Sequence, residues 1–144
     1  MNKSPAEILA YYLMSQNTFS NPSSLTPWPL FTTTLPTGKN IELAACINDT
    51  MSIKDGRLMS GENIIHFGIQ VRVRGRTFTE GWMKIMEVAS LFEQVHNVSI
   101  VIDVDNTYII HNVSQTSSIL PMGQDPETRL FLFSMNFITT IKET

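Results

Sequence analysis

The residues of this sequence that could do chemistry are few and scattered. His66, His96 and His111 are its three histidines and Cys46 its single cysteine. A zinc centre needs ligands at short, regular spacing, such as two histidines at i and i+4 on one helix face, and no such pair occurs. Plain structural roles suit all three: a strand end for His66, a helix C-terminus whose dipole favours a cation for His96, and a strand face for His111. Cys46 lies in an apolar run, where a small buried hydrophobe outweighs a nucleophile. One cysteine also excludes internal disulfides and multi-cysteine zinc sites. Asp103-Val104-Asp105-Asn106 begins like a calcium loop, but Tyr108 and Ser114 stand where that loop requires glycine and glutamate. Gly68 and Gly75 flank a strand rather than opening a helix, so no phosphate-binding loop is present. The expectation is a protein with no catalytic residues, no cofactor and no metal.

The elements that position these residues centre on Asn63 to Val95. Ile69, Val71 and Val73 alternate with Gln70, Arg72 and Arg74, the pattern of a half-buried strand. Gly75 ends it. Thr77 and Glu80 then predict a capping box, each side chain satisfying a free N–H at a helix start. Phe78, Trp82, Ile85, Ala89 and Phe92 recur at helical spacing, widened by Val88 and Val95, so this stripe should cover the sheet.

At 144 residues the chain is most simply one domain, 1–144, able to bury a core without staples. A net charge of -3 argues against binding nucleic acid by phosphate neutralisation. No apolar run approaches the roughly 18 residues of a membrane span, and Met1 to Ala10 lacks a signal-peptide core, so a soluble protein made inside the cell, without membrane contact, is expected. Only 16% of residues are charged against 42% hydrophobic, which is charge-poor for a small monomer and hints at buried interfaces.

In chain order, Ser4-Pro5-Ala6-Glu7 opens a helix, with Ser4 as N-cap, Pro5 in the first turn and Glu7 closing the box. Ile8, Leu9, Tyr12 and Leu13 form its stripe, and residues 1–17 hold it. Residues 18–40 form a proline-rich connector, stiff and laid over the domain surface, with a short strand at Leu30 to Leu35 and a turn at Pro36 to Asn40. Residues 41–141 carry the sheet and central helix, beginning with a strand from Ile41 to Ile47. Asn48 to Glu62 reads locally as a wide hairpin loop. Its exposed Leu58 and Met59, between Gly56 and Gly61 and beside Arg57, also suit an interaction arm. Val98 to Val104 alternates again, Asp105-Asn106 suits a two-residue turn, and Thr107 to Val113 returns as hairpin partner. Ser114 to Thr128 reads as a polar loop. Arg129 to Ile141 is the last strand, with Phe131, Phe133, Met135 and Phe137 on one face. Apolar residues on both of its faces near the start call for cover from helices, connector or another subunit. The order α-β-β-β-α-β-β-β predicts an α+β fold, a mixed, mainly antiparallel sheet packed against two helices.

Asp55-Gly56-Arg57-Leu58-Met59, Gly61-Glu62, His66 and Gly68-Ile69-Gln70-Val71-Arg72-Val73-Arg74 resemble the signature stretch of the tailed-bacteriophage minor capsid proteins that act as tail terminators. Tyr108, the Ser118 to Asp125 loop with Pro121 and Gly123, and Arg129 to Phe137 fit the same family's closing loop and strand. The likeness covers roughly Ile41 to Ile141, with Phe67 standing where members usually place proline or another small residue. It implies a virion structural protein, assembled in the host cytoplasm and resident at the head-tail interface. Such a protein forms a homo-oligomer, a hexameric ring that caps the tail tube, stops its polymerisation and joins tail to head. The implied partners are the tail tube protein below, a neck or connector protein above and the sheath protein as a further neighbour, with DNA passing through the lumen without sequence-specific binding.

A ring needs a head-to-tail contact whose rotation closes. Candidate residues for the subunit or tail-tube interface are Arg57, Leu58, Met59, Arg72, Arg74, Met83, Met86, Phe131 and Phe133. Arg72 and Arg74 read either as solvated charges or as partners for acidic groups on a neighbour. Two alternatives stand beside the terminator: a neck or head-closure protein of similar shape, and a small enzyme or ligand-binding α+β domain with its pocket under the connector.

Overall fold

The structure, a computed structural model, describes residues 2–21, 28–32, 35, 42–57, 59, 61 and 63–144. These form an α+β fold of two helices and seven strands. Helix α1 is Pro5–Ser15 and α2 is Phe78–Glu93; the strands are β1 Leu30–Phe31, β2 Ala44–Arg57, β3 Asn63–Gly75, β4 Val98–Asp103, β5 Asn106–Gln115, β6 Leu120–Gln124 and β7 Phe131–Glu143. The sheet runs β1-β2-β3-β7-β5-β4, with β6 beside β7, and only the β1–β2 pair is parallel.

Helix α1 starts as its sequence dictates. Glu7 N donates to Ser4 Oγ at 3.3 Å and Ser4 N to Glu7 Oε2 at 2.9 Å, so the box is complete. Ala6 N adds a bond at 2.9 Å to Asp49 Oδ1, which ties the helix start to β2. Ile8, Leu9, Tyr12 and Leu13 are buried, as their spacing predicts. The connector's described ends are held by Lys84 of α2. Lys84 Nζ donates to the Thr18 carbonyl at 2.6 Å and lies 4.9 Å from the Phe19 ring centre and 5.1 Å from that of Trp28. Residues 22–27, residues 33 and 34 of the expected strand to Leu35, the whole expected turn over 36–40, and Ile41 lie outside the described residues.

Helix α2 departs from expectation in two ways. Glu80 N donates to Thr77 Oγ1 at 3.2 Å, but the Glu80 carboxylate takes the N–H and guanidinium of Arg76 instead of completing the box on Thr77. The reach of the arginine wins that carboxylate. The buried face is Gly81, Ile85, Val88 and Phe92, whereas Phe78 and Trp82 keep exposed edges. Both rings still touch Phe133, at centroid distances of 5.0 and 6.2 Å.

The sheet is longer than its hydrophobic pattern. β2 continues to Arg57, because the polar residues after Ile47 pair with β3 through their backbones: Asn48 with Gln70, Lys54 with Ile65, Arg57 with Asn63. The expected loop from Asn48 is thus mostly ladder. β6 forms within the expected Ser114–Thr128 loop, where Leu120 pairs with Ser134 and Pro121 with Phe133. β1 is two residues rather than the stretch to Leu35, and β7 ends at Glu143 rather than Ile141. The turn after β4 falls at Val104–Asp105, one residue early. Asp103 causes the shift: its carboxylate accepts from Asp105 N at 3.0 Å and from Asn106 Nδ2 at 2.7 Å, and Asn106 is drawn in beneath Tyr108.

The core lies between the helices and one face of the sheet, lined by Ile69, Val71 and Val73 of β3, Phe133, Met135 and Phe137 of β7, and Tyr108 and Ile110 of β5.

Candidate assembly surfaces

The chemically capable residues do not converge. His66 Nδ1 is hydrogen-bonded to Thr140 Oγ1 at 3.0 Å, His111 Nδ1 to Asn97 Oδ1 at 2.7 Å, and His96 is exposed past the end of α2. Among the described residues no three His, Cys, Asp or Glu side chains are gathered to hold a metal. Burial pushes the Cys46 thiol up, against the opposing pull of Arg72, so the thiolate a nucleophile needs is disfavoured.

Arg72 and Arg74 are engaged within their own chain. Arg72 Nη2 donates to Cys46 Sγ at 3.1 Å, and a polar chain continues across the helix-free face. Cys46 Sγ reaches Asn48 Oδ1 at 3.6 Å, Asn48 Nδ2 donates to Gln70 Oε1 at 3.5 Å, and Gln70 Nε2 to Ser134 Oγ at 3.2 Å. Arg74 Nε donates to the Glu42 carbonyl at 3.3 Å; burial lowers its pKa while the nearby Asp125 carboxylate raises it. Neither expected reading, solvated charge or hand extended to a neighbour, describes Arg72. Arg72 ties β3 to β2, and Gln70 ties β3 to β7, on the outer face.

Phe133 is a correction. It is 0% exposed beneath α2, so it is core and not interface, while Phe131 beside it is half-buried. Of the strand that reads as apolar on both faces near its start, the face of Phe133, Met135 and Phe137 is covered inside the chain, while Leu130 and Leu132 are half-buried. Met83 and Met86 do stand exposed on the outer side of α2.

Among the described residues, the β2–β3 hairpin extends beyond the rest of the sheet. β3 pairs with β7 only as far as Phe67 with Thr139, whereas β7 runs on with β5 to the pair Glu143 with Tyr108. Beyond that fork β2 and β3 continue as a two-stranded ribbon through the pairs Ile53–His66, Lys54–Ile65, Gly56–Ile64 and Arg57–Asn63. A bulge marks its root, where Met51 and Ser52 fall between the pairs Thr50–Gly68 and Ile53–His66. Gly68 permits this, since a Cβ there would run into Thr50 and the Met51 backbone. Met51 is 89% and Ile53 57% exposed, Met59 wholly so, with Lys54 and Arg57 exposed beside them. Leu58 lies outside the described residues. Sequence reasoning placed the arm but missed Met51 and Ile53, although their alternation with Ser52 and Lys54 was a strand signal. It also missed the exposed Leu120 and Met122 of β6, whose alternation was masked by Pro121 and Gly123.

Opposite the arm, across β7, is a groove of about 390 Å³ between the end of α2 and β5. Phe92, Val95, Val113 and Phe137 supply its apolar lining, and Glu93 its charge. Four consecutive residues, Asn112 to Gln115, line it as well. Consecutive residues point to opposite faces of a strand, so the groove meets the strand's edge rather than a face. β4 pairs with β5 only up to Val98–Ile110, with one further bond from Asn97 N to the His111 carbonyl. Among the described residues no strand pairs with that edge past His111.

No described helix is long and apolar enough to cross a membrane. No protein-family model matches the sequence, and no curated protein is a detectable relative.

Proposed function

We propose that this chain is a structural protein of a tailed-phage virion: a ring-forming tail terminator that caps the tail tube, stops its polymerisation and joins the tail to the head. The observation that carries the reading is the arm. A two-stranded ribbon is at best marginal in water on its own, and this one carries Met51, Ile53 and Met59 into solvent. An exposed apolar ribbon with open edges is a hazard unless a partner covers it. Neighbouring copies and the tail tube are such partners. The likeness of residues 55–74 and 129–137 to the terminator signature supports the same reading, and the end of the arm and its β3 strand fall within the first of these stretches. The role needs no catalysis. Tail tube below, connector above and sheath around are the proposed neighbours, with DNA passing through the lumen.

The test is the native mass of the purified protein, alone and mixed with its tail-tube protein. A closed oligomer in either sample is the expected result. A monomer in both, with no binding to finished tails, overturns the reading and turns attention to the groove as a ligand site.

A further inference from the structure

The arm and the groove lie on opposite edges of β7: β3 hydrogen-bonds one edge and β5 the other. Two unlike surfaces on opposite sides of one chain are the requirement for a head-to-tail contact, which closes into a ring when its rotation allows. Resting on the ring reading above, we infer that the arm of one copy adds as a strand to the open β5 edge of the next, so that the subunits are joined through a shared sheet.

Complementarity of shape, hydrogen bonding and charge supports this pairing. The groove is lined by Asn112 to Gln115, where no described strand pairs with the β4-side edge of β5, and strand addition satisfies such an edge through main-chain hydrogen bonds while pockets receive alternate side chains. On the arm the exposed apolar residues belong to β2, at Met51 and Ile53, while Ile65 and His66 of β3 are half-buried. The outer edge of β2 is therefore the one that docks. Its Met51 and Ile53 side chains enter the mouth of the groove, over a floor of the buried Phe92, Val95 and Phe137. Methionine suits an irregular apolar groove because its unbranched chain adapts to the space available. Glu93 is the charged residue of the groove and is exposed; Lys54 and Arg57 are the exposed cations of the arm. Opposite charges at the rim fix the register of the added strand and speed encounter.

The fold also explains why an arm does not close on its own groove. β7 separates the two, and the ribbon leaves the sheet at Phe67, on the far side of β7 from Asn112. Only a second copy brings them together.

The test is cross-linking within the assembled ring. Cysteines are placed on both surfaces of one chain, Ile53→Cys with Ser114→Cys, and the assembly is treated with a short bismaleimide; the buried Cys46 stays unlabelled. The expected result is a ladder of trimers and larger species on a denaturing gel, with each single variant remaining monomeric. Native mass measured on the same samples separates the two levels of the proposal. Rings without a ladder overturn the arm-to-groove contact and leave the ring intact. Absence of any oligomer, with the unaltered chain, alone or on tail tubes, overturns the ring reading and this contact with it. A cross-linked dimer from Ile53→Cys alone overturns the head-to-tail geometry, because it places arm against arm. As a second measurement, Met51→Lys with Ile53→Lys keeps the circular dichroism and melting temperature of the unaltered chain and loses the oligomer. Retention of the oligomer by that folded variant overturns the inference.

Discussion

Phe133 lies directly under Gly81: a Cβ on Gly81 would stand 2.5 Å from Cε2 of the ring and 2.8 Å from Cδ2. Gly75 comes equally close from the strand end, since a Cβ there would stand 2.7 Å from Gly81 N. The first turn of α2 is thus seated backbone-first on β3 and β7. Phe78 and Trp82 flank the same ring and keep it from turning away.

Gly81→Ala sets two effects against each other. Alanine favours the helix by about 1 kcal/mol, but the added methyl overpacks a buried ring, which costs about 1 to 3 kcal/mol. With Phe133 wholly buried the second effect wins, and urea denaturation should show net destabilisation. Adding Phe133→Leu should recover part of the loss, because the clash and the smaller side chain compensate at one contact.

Lys84 holds the connector's two described ends to α2. Lys84→Met keeps the stem and removes the charge, the bond to the Thr18 carbonyl and the attraction to the Phe19 and Trp28 rings. The expected cost is about 1 to 2 kcal/mol. Amide exchange at Ser20 and Leu30, whose N–H groups bond across the connector's ends, should quicken far more than exchange in β7.

The Arg76–Glu80 contact gives the fold an acid-sensitive element. Hydrogen bonds from the Arg76 side chain hold the Glu80 carboxyl below its ordinary value of 4.5. A carboxyl with a depressed folded pKa contributes stability above its unfolded pKa and loses it as pH falls through the folded value. Stability should decline as pH drops below about 4.5, and Glu80→Gln should flatten that part of the profile. Both side chains are substantially exposed, so added salt should weaken the effect.

Charge at the groove rim should be exchangeable. Glu93→Lys is expected to weaken assembly about tenfold at low salt. Lys54→Glu with Arg57→Glu in the same chain should restore it, as sedimentation velocity at matched concentrations can show. Restoration would distinguish a paired contact from a general change in net charge.

Much of the fold was legible where one face of an element is buried. The Ser4 box and the stripe of Ile8, Leu9, Tyr12 and Leu13 marked α1, and the alternation from Ile69 to Arg74 marked β3, because burial selects residue types at a fixed period. The second half of β2 escaped for a different reason. Its brief alternation of Met51 and Ile53 with Ser52 and Lys54 is outweighed by the polar residues and the Asp55-Gly56 turn type around it, and it is a strand because its backbone pairs with β3. β6 escaped because Pro121 and Gly123 are turn residues by type, yet both stand in a strand at the sheet's edge, where an unpaired proline nitrogen costs little.

The sequence by itself determined the two helices and the half-buried strands, because burial of one face selects residue types at a fixed period. Only the tertiary structure decided that Phe133 is core, that Arg72 is spent on Cys46, and that an arm on one side of β7 faces away from an open strand edge on the other. Those relations join residues far apart in the chain, and they depend on register and strand order, which backbone hydrogen bonds between distant segments set and side-chain identity alone does not encode.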